Sequence, residues 1–232
     1  MPQAATRPVS DPDARSATGR LRPLPRAERR QHLLRVAHAM VREGGIGALT
    51  MAGLAERAGA SKPVVYEHFT NAEDVAVALL GEYFKAMIEL VDARTQDAET
   101  LEDYLSIAVD CHFDYHRADG LVVRSLTNGH TTGDRLNAVY RDLRGRALDT
   151  FADLLGQQGV TEALSRPAGF ALWEMMNGTV HEYALGSEWQ AAREALKRMM
   201  LGAVRALVPE NRRKPQTPDA ILATAQRLGD TA

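Results

Sequence analysis

The chain has 232 residues, 45% hydrophobic and 25% charged, the make-up of a soluble globular protein long enough to bury a sizeable core. One cysteine excludes an intramolecular disulfide framework and fits a reducing cytoplasm, no apolar run reaches the ~18 residues of a membrane span, and the N-terminus lacks the apolar core of a signal peptide. Net charge is −2, yet residues 1–70 hold 11 Lys+Arg against 6 Asp+Glu while the remainder holds 17 against 24, a distribution that suits a protein offering one end to a polyanion.

Residues 1–25 contain five prolines and no apolar periodicity, which predicts a disordered arm. Arg7, Arg15, Arg20 and Arg22 make it weakly cationic, so it either touches a DNA backbone or minor groove or is a passive tail. Residues 26–43 read as a first helix with Leu33, Ala37, Met40 and Val41 as its apolar stripe, ended by Gly44-Gly45. Arg26, Arg29 and Arg30 open that helix against its dipole, which points to another reason for them, such as phosphates. Thr50 is an N-cap for a second helix, Ala58-Gly59-Ala60 a turn, and Ser61 the cap of a third, with Pro63 in its first turn. Val65 and Phe69, four apart, share an inward face and leave Lys62, Val64, Tyr66 and His68 for other faces. Two short helices about such a turn fit a helix–turn–helix whose second member enters the major groove.

Thr70-Asn71 then links to a long helix over about 72–93, with Val75, Leu79, Tyr83, Met87 and Leu90 or Val91 at helical spacing. Further helices are predicted near 99–117, 119–127, 134–157, 161–186 and 188–207, with breaks at Asn128-Gly129, Gly133, Gly156 to Gly159 and Gly186-Ser187. Nothing shows the period-two alternation of strands. Pro209 closes the last long helix, and 219–228 reads as a short terminal helix. The expected fold is all-α, with a three-helix unit over 26–71, a larger helical unit over 72–208 and a tail over 209–232.

From about 26 to 74 the sequence resembles the DNA-binding domain of the tetracycline-repressor (TetR) family of transcriptional regulators. The resemblance rests on Leu49-Thr50-Met51, Leu54-Ala55, Ala58-Gly59-Ala60-Ser61, Val64-Val65-Tyr66-Glu67-His68-Phe69 and Asn71-Ala72-Glu73-Asp74. It implies that Thr50, Tyr66 and His68 bond phosphates, that Ser61 caps the reader helix at the DNA, and that Lys62, Pro63 and Val64 face base edges. The chemistry agrees: hydroxyls and helix N-termini hold phosphates, lysine bonds guanine O6 or N7, and apolar groups meet thymine methyls. One departure is Ala72, where the family commonly has a phosphate-binding lysine; the first-helix arginines are the candidates to replace it. The resemblance also implies a homodimer built from the last two long helices, whose Leu172, Met175, Met176, Val180, Leu196, Met199, Met200, Ala203, Val204 and Leu207 cover more than one face. Burial within one subunit is the competing reading of those residues.

Regulators of this kind usually bind a small-molecule effector between the central helices. The candidate lining residues are Met87, His112, Phe113, His116, Trp173, Met176, Asn177 and His181, because they combine apolar bulk with a few hydrogen-bonding groups. Each is also an ordinary core or interface candidate. Cys111, His112 and His116 are a weak metal set with no further ligands at convincing spacing, so no metal or cofactor is expected. No phosphate loop, nucleophile elbow or paired-carboxylate motif marks an enzyme. The expectation is a cytoplasmic, ligand-responsive regulator that binds double-stranded operator DNA, most simply a repressor released by its effector. The alternative is a helical small-molecule-binding protein without operator-specific DNA binding, for which Ala72 is the support.

Overall fold

The computed structural model describes residues 25–127 and 133–208, and among these described residues there are eight α-helices and one 3-10 turn. The arm over 1–24, the Asn128-Gly129 break and the tail with its terminal helix lie outside the described residues. Helix α1 spans Arg26–Gly44, α2 Met51–Arg57 and α3 Lys62–Tyr66. Then come α4 at Ala72–Thr95, α5 at Leu101–Thr127, α6 at Asp134–Gln157, α7 at Glu162–Tyr183 and α8 at Trp189–Leu207. There is no strand among the described residues.

The punctuation of the first three helices works as local chemistry requires. Thr50 Oγ1 accepts from the Gly53 N–H at 3.1 Å and so satisfies one orphan donor of α2. Gly59 turns the chain at φ +61°, a conformation that costs a Cβ-bearing residue. Asn71 caps α4 by accepting from Asp74 N–H at 2.9 Å.

Two apolar cores result. One joins α1, α2, α3 and the first half of α4 to Val122 and Leu126 of α5 and to Leu136 and Leu143 of α6. The other joins the second half of α4 to α5, α7, α8 and the C-terminal half of α6. Helix α4 threads both, and Val75 to Gly81 are all buried, as expected of a helix enclosed on every side. Tyr83 packs against both cores.

Two helices expected at 99–117 and 119–127 are one continuous α5. The junction expected between them is held by tertiary contacts instead. His38 Nε2–H of α1 donates to the Asp119 carboxylate at 2.6 Å, and Gly120 lies against Leu185.

Candidate nucleic-acid interface and effector cavity

Helix α3 is held from beneath and bare above. Val65 and Phe69 are 0% and 2% exposed, whereas Tyr66 is 54% exposed. Ser61, Lys62 and Pro63 are also exposed and Val64 half so. These five side chains therefore leave the protein on one short rod, which is how a reader helix must present them. Ser61 stands at the cap position but makes no side-chain cap bond, and Thr50 is exposed with its oxygen already accepting from Gly53 N–H.

The arginines of α1 gather at the end of that rod. The Arg30 guanidinium lies 5.0 Å from the centre of the Phe69 ring. Burial lowers the His68 pKa, and Arg26, Arg30 and Arg29 lower it further through their positive charge, against a raising effect of Glu67. His68 is thus half-buried in a cationic corner beside the reader helix.

The carboxylates that follow are turned inward. Glu73 Oε1 accepts from the backbone N–H groups of Arg135 and Leu136 at 2.8 and 3.0 Å, so it caps α6. Asp74 is buried, accepts from Thr70 N–H at 3.0 Å and pairs with Arg135. Helix α4 therefore starts with two acids whose charge is met by α6, and it carries no cation at Ala72.

A second site lies deeper. A cavity of about 80 Å³ is lined by α4, α5, α6 and α7. Of the candidate effector residues, Met87, His112 and Trp173 line it. Phe113 and Met176 are wholly buried in the surrounding core instead. His116 and His181 meet edge to face with their ring centres 5.1 Å apart, and Asn177 hydrogen-bonds Tyr140. The part played by α6, through Ala147, Thr150, Phe151 and Leu154, escaped the sequence reading, because nothing distinguishes those residues from an ordinary core stripe.

The polar groups around the cavity are nearly all committed. Thr150 Oγ1 donates to the Arg146 carbonyl at 3.1 Å, and Tyr83 Oη lies 3.1 Å from His116 Nε2. His112 Nδ1 sits 2.8 Å from the Ala108 carbonyl; a carbonyl only accepts, so Nδ1 carries the proton and Nε2 is an acceptor. Burial drives the His112 pKa down to about 4 despite that bond, so the ring is neutral. The Trp173 indole N–H is buried with no acceptor. The Cys111 thiol lies 3.9 Å from the Leu90 carbonyl, and among the described residues no cluster of three His, Cys, Asp or Glu can hold a metal ion.

Most residues read as dimer-forming are spent inside one chain: Leu172, Met176, Val180, Leu196, Met200 and Val204 all lie within the second core. What α7 and α8 leave outside is Leu164, Phe170, Tyr183 and Met199, 54%, 49%, 41% and 51% exposed. No described helix is long and apolar enough to cross a membrane.

Residues 33–79 match the family model described as bacterial regulatory proteins, tetR family. The chain is 29% identical over 141 residues to the HTH-type transcriptional activator FasR of Mycolicibacterium smegmatis, covering 60% of this chain and 64% of that protein. It thus spans a little under two thirds of that relative's length. Among solved structures, a TetR-family transcriptional regulator from Streptomyces coelicolor superposes with a TM-score of 0.63 at 20% identity, covering 78% of this chain and 96% of the other. The regulator FadR from Bacillus subtilis, solved in complex with stearoyl-CoA, gives a TM-score of 0.57 at 20% identity over 78% and 98%. At that identity the likeness is one of fold.

Proposed function

We propose that the chain is a member of the tetR family of bacterial regulatory proteins, whose model residues 33–79 match, and that it is a cytoplasmic, ligand-responsive transcriptional repressor acting as a homodimer on a near-palindromic operator. Residues 26–71 are the DNA-reading unit and 72–208 the effector-binding and dimerisation unit. The observation that carries the reading is the bare upper surface of α3 over a fully buried Val65 and Phe69. Lys62, Pro63 and Val64 face bases, and Thr50, Ser61, Tyr66 and His68 hold the backbone. Two such helices about 34 Å apart enter successive major grooves. The exposed Leu164, Phe170 and Met199 supply the apolar part of the dimer contact. The capped, internally neutralised start of α4 favours DNA binding over the alternative of a binding protein that no longer reads DNA: it removes two acids from a phosphate-facing end, and Arg26 and Arg29 take the role that Ala72 leaves open.

The effector enters between α4 and α7. A cavity of about 80 Å³ is well below the ~300–1,000 Å³ of ordinary ligand sites. An effector must therefore push its walls apart. Helix α4 is one of those walls and also belongs to the DNA-side core, so widening the cavity shifts the reader. A coupling of about 1–3 kcal/mol is enough to release the operator. That the Bacillus subtilis regulator was solved with stearoyl-CoA supports a long apolar effector here.

Fluorescence anisotropy against genomic fragments tests the reading, and failure to form any specific complex across a salt series ends it. Lys62→Ala is expected to relax sequence preference, whereas Tyr66→Phe weakens specific and non-specific binding alike; identical behaviour of the two refutes the division of roles. The double change Arg26→Ala/Arg29→Ala is expected to reduce the slope of log affinity against log salt by about 2. An unchanged slope removes those arginines from the interface.

A further inference from the structure

We propose that His68 is a proton-linked phosphate ligand: it takes up a proton as the reader helix meets a duplex, so the protein holds DNA more tightly as the pH falls from 7.5 to 6. This rests on the DNA-reading proposal above and adds the protonation state in which that contact is made.

The case starts from position. His68 stands two residues past α3, half-buried, with its ring centre 6.5 Å from that of Phe69. Among the described residues no hydrogen bond or ion pair holds its ring nitrogens. The other two histidines of the reader unit already have partners inside the protein, His32 on the Ala58 carbonyl at 3.1 Å and His38 on Asp119 at 2.6 Å. The charged groups that act on His68 are Arg26, Arg29 and Arg30 of α1 and the adjoining Glu67. Burial, and then three positive charges against one negative, oppose an imidazolium, so in the free protein its pKa lies below the ordinary histidine value. A duplex reverses that field. Phosphates drawn to the arginines offset their charge as felt at His68, and an imidazolium offers a phosphate oxygen a charged N–H that the neutral ring lacks. The complex therefore binds more protons than the free protein, and by linkage affinity rises as the pH falls. The dependence ends at the acid side, where the free protein is protonated as well. The same three arginines thus attract the duplex and keep His68 uncharged until it arrives.

Phosphate contacts are independent of sequence, so a mixed-sequence duplex of about 30 base pairs is a sufficient probe. Fluorescence anisotropy of the full-length protein is expected to show about fivefold tighter binding at pH 6 than at pH 7.5. Isothermal titration at pH 6.5 in PIPES and in imidazole, whose ionisation enthalpies differ, is expected to show net proton uptake on binding. His68→Gln is expected to lose that uptake and to bind about equally at the two pH values. His68→Lys, charged at both, is expected to keep the steeper salt dependence at both, by roughly 0.9 in log affinity against log salt per contact. Equal affinity of the unaltered protein at pH 6 and pH 7.5, no proton uptake, or uptake that persists in His68→Gln overturns the proposal and leaves the DNA reading in place. Absence of any duplex binding across a salt series defeats that reading and the proposal with it. The proton count on the unaltered protein decides even if a variant folds poorly.

Discussion

Taking the protein from pH 7 to pH 5 is expected to lower its stability steeply, and the loss is expected to fall on the α4–α8 core. Three histidines sit against one another there with pKa values below the ordinary 6.5. His116 is 2% exposed, and its pKa falls to about 3, first through burial and then through the neighbouring His112 and His181. His112 falls to about 4 through burial. His181 is lowered by burial and by Arg124. Each is neutral in the folded protein across the range where an unfolded chain protonates. Between about pH 6.5 and the depressed folded values the unfolded state therefore binds more protons, so stability rises with pH. The histidine contribution is fully present above about pH 6.5 and is lost as the pH falls through that window. His116 alone accounts for about 1.4 kcal/mol per pH unit there, hence about 2 kcal/mol between pH 6.5 and 5. Urea midpoints at pH 7, 6 and 5 check this, and His116→Phe is expected to flatten the profile. Equal stability at pH 7 and pH 5 refutes it.

That cluster also shows where the sequence was and was not readable. The DNA-side unit was legible because its signals are local: Thr50 caps within three residues, Gly59 is the positive-φ turn, and Val65 and Phe69 share a face by spacing alone. The cavity was legible only in part. His112 and His116 lie on one face of α5, as their spacing requires, yet His112 lines the cavity while His116 sits on Tyr83 and His181. Periodicity says which side chains share a face but not how far along that face an empty space extends. The same limit hid α6, whose Ala147, Phe151 and Leu154 look like any core stripe. Helix α5 was expected as two helices, 99–117 and 119–127, and the contacts that hold the junction, from Asp119 to His38 and from Gly120 to Leu185, come from far away in the chain. The apolar residues of α7 and α8 cover more than one face, and most of them pack into the core that α4, α5 and α6 of the same chain share with those helices, as the reading of burial within one subunit has it. Only a few side chains, Met199 among them, are left for a second copy.

Replacing Phe69 by alanine is expected to abolish operator binding while effector binding in the cavity persists. Phe69 is 2% exposed and belongs to the core that joins α1, α2 and α3 to the start of α4. Truncating a fully buried phenylalanine costs about 3–5 kcal/mol. Helix α3 has five residues, far too few to be helical unless packing holds it, and Phe69 is the anchor immediately past its C-terminal end. The ring also carries the Arg30 guanidinium at 5.0 Å, so its loss loosens the cationic corner around His68 as well. Tyr66→Phe, one turn away, removes a single hydroxyl from an exposed side chain and leaves that core intact, so a far smaller loss of affinity is expected from it. The second core takes no contribution from Phe69. Hydrogen exchange is therefore expected to show α1 to α3 opening in Phe69→Ala while amides of α5, α7 and α8 in that second core keep their protection. If the variant binds operator with wild-type affinity, or if both cores lose protection together, the two-core account of how this chain separates reading from sensing fails.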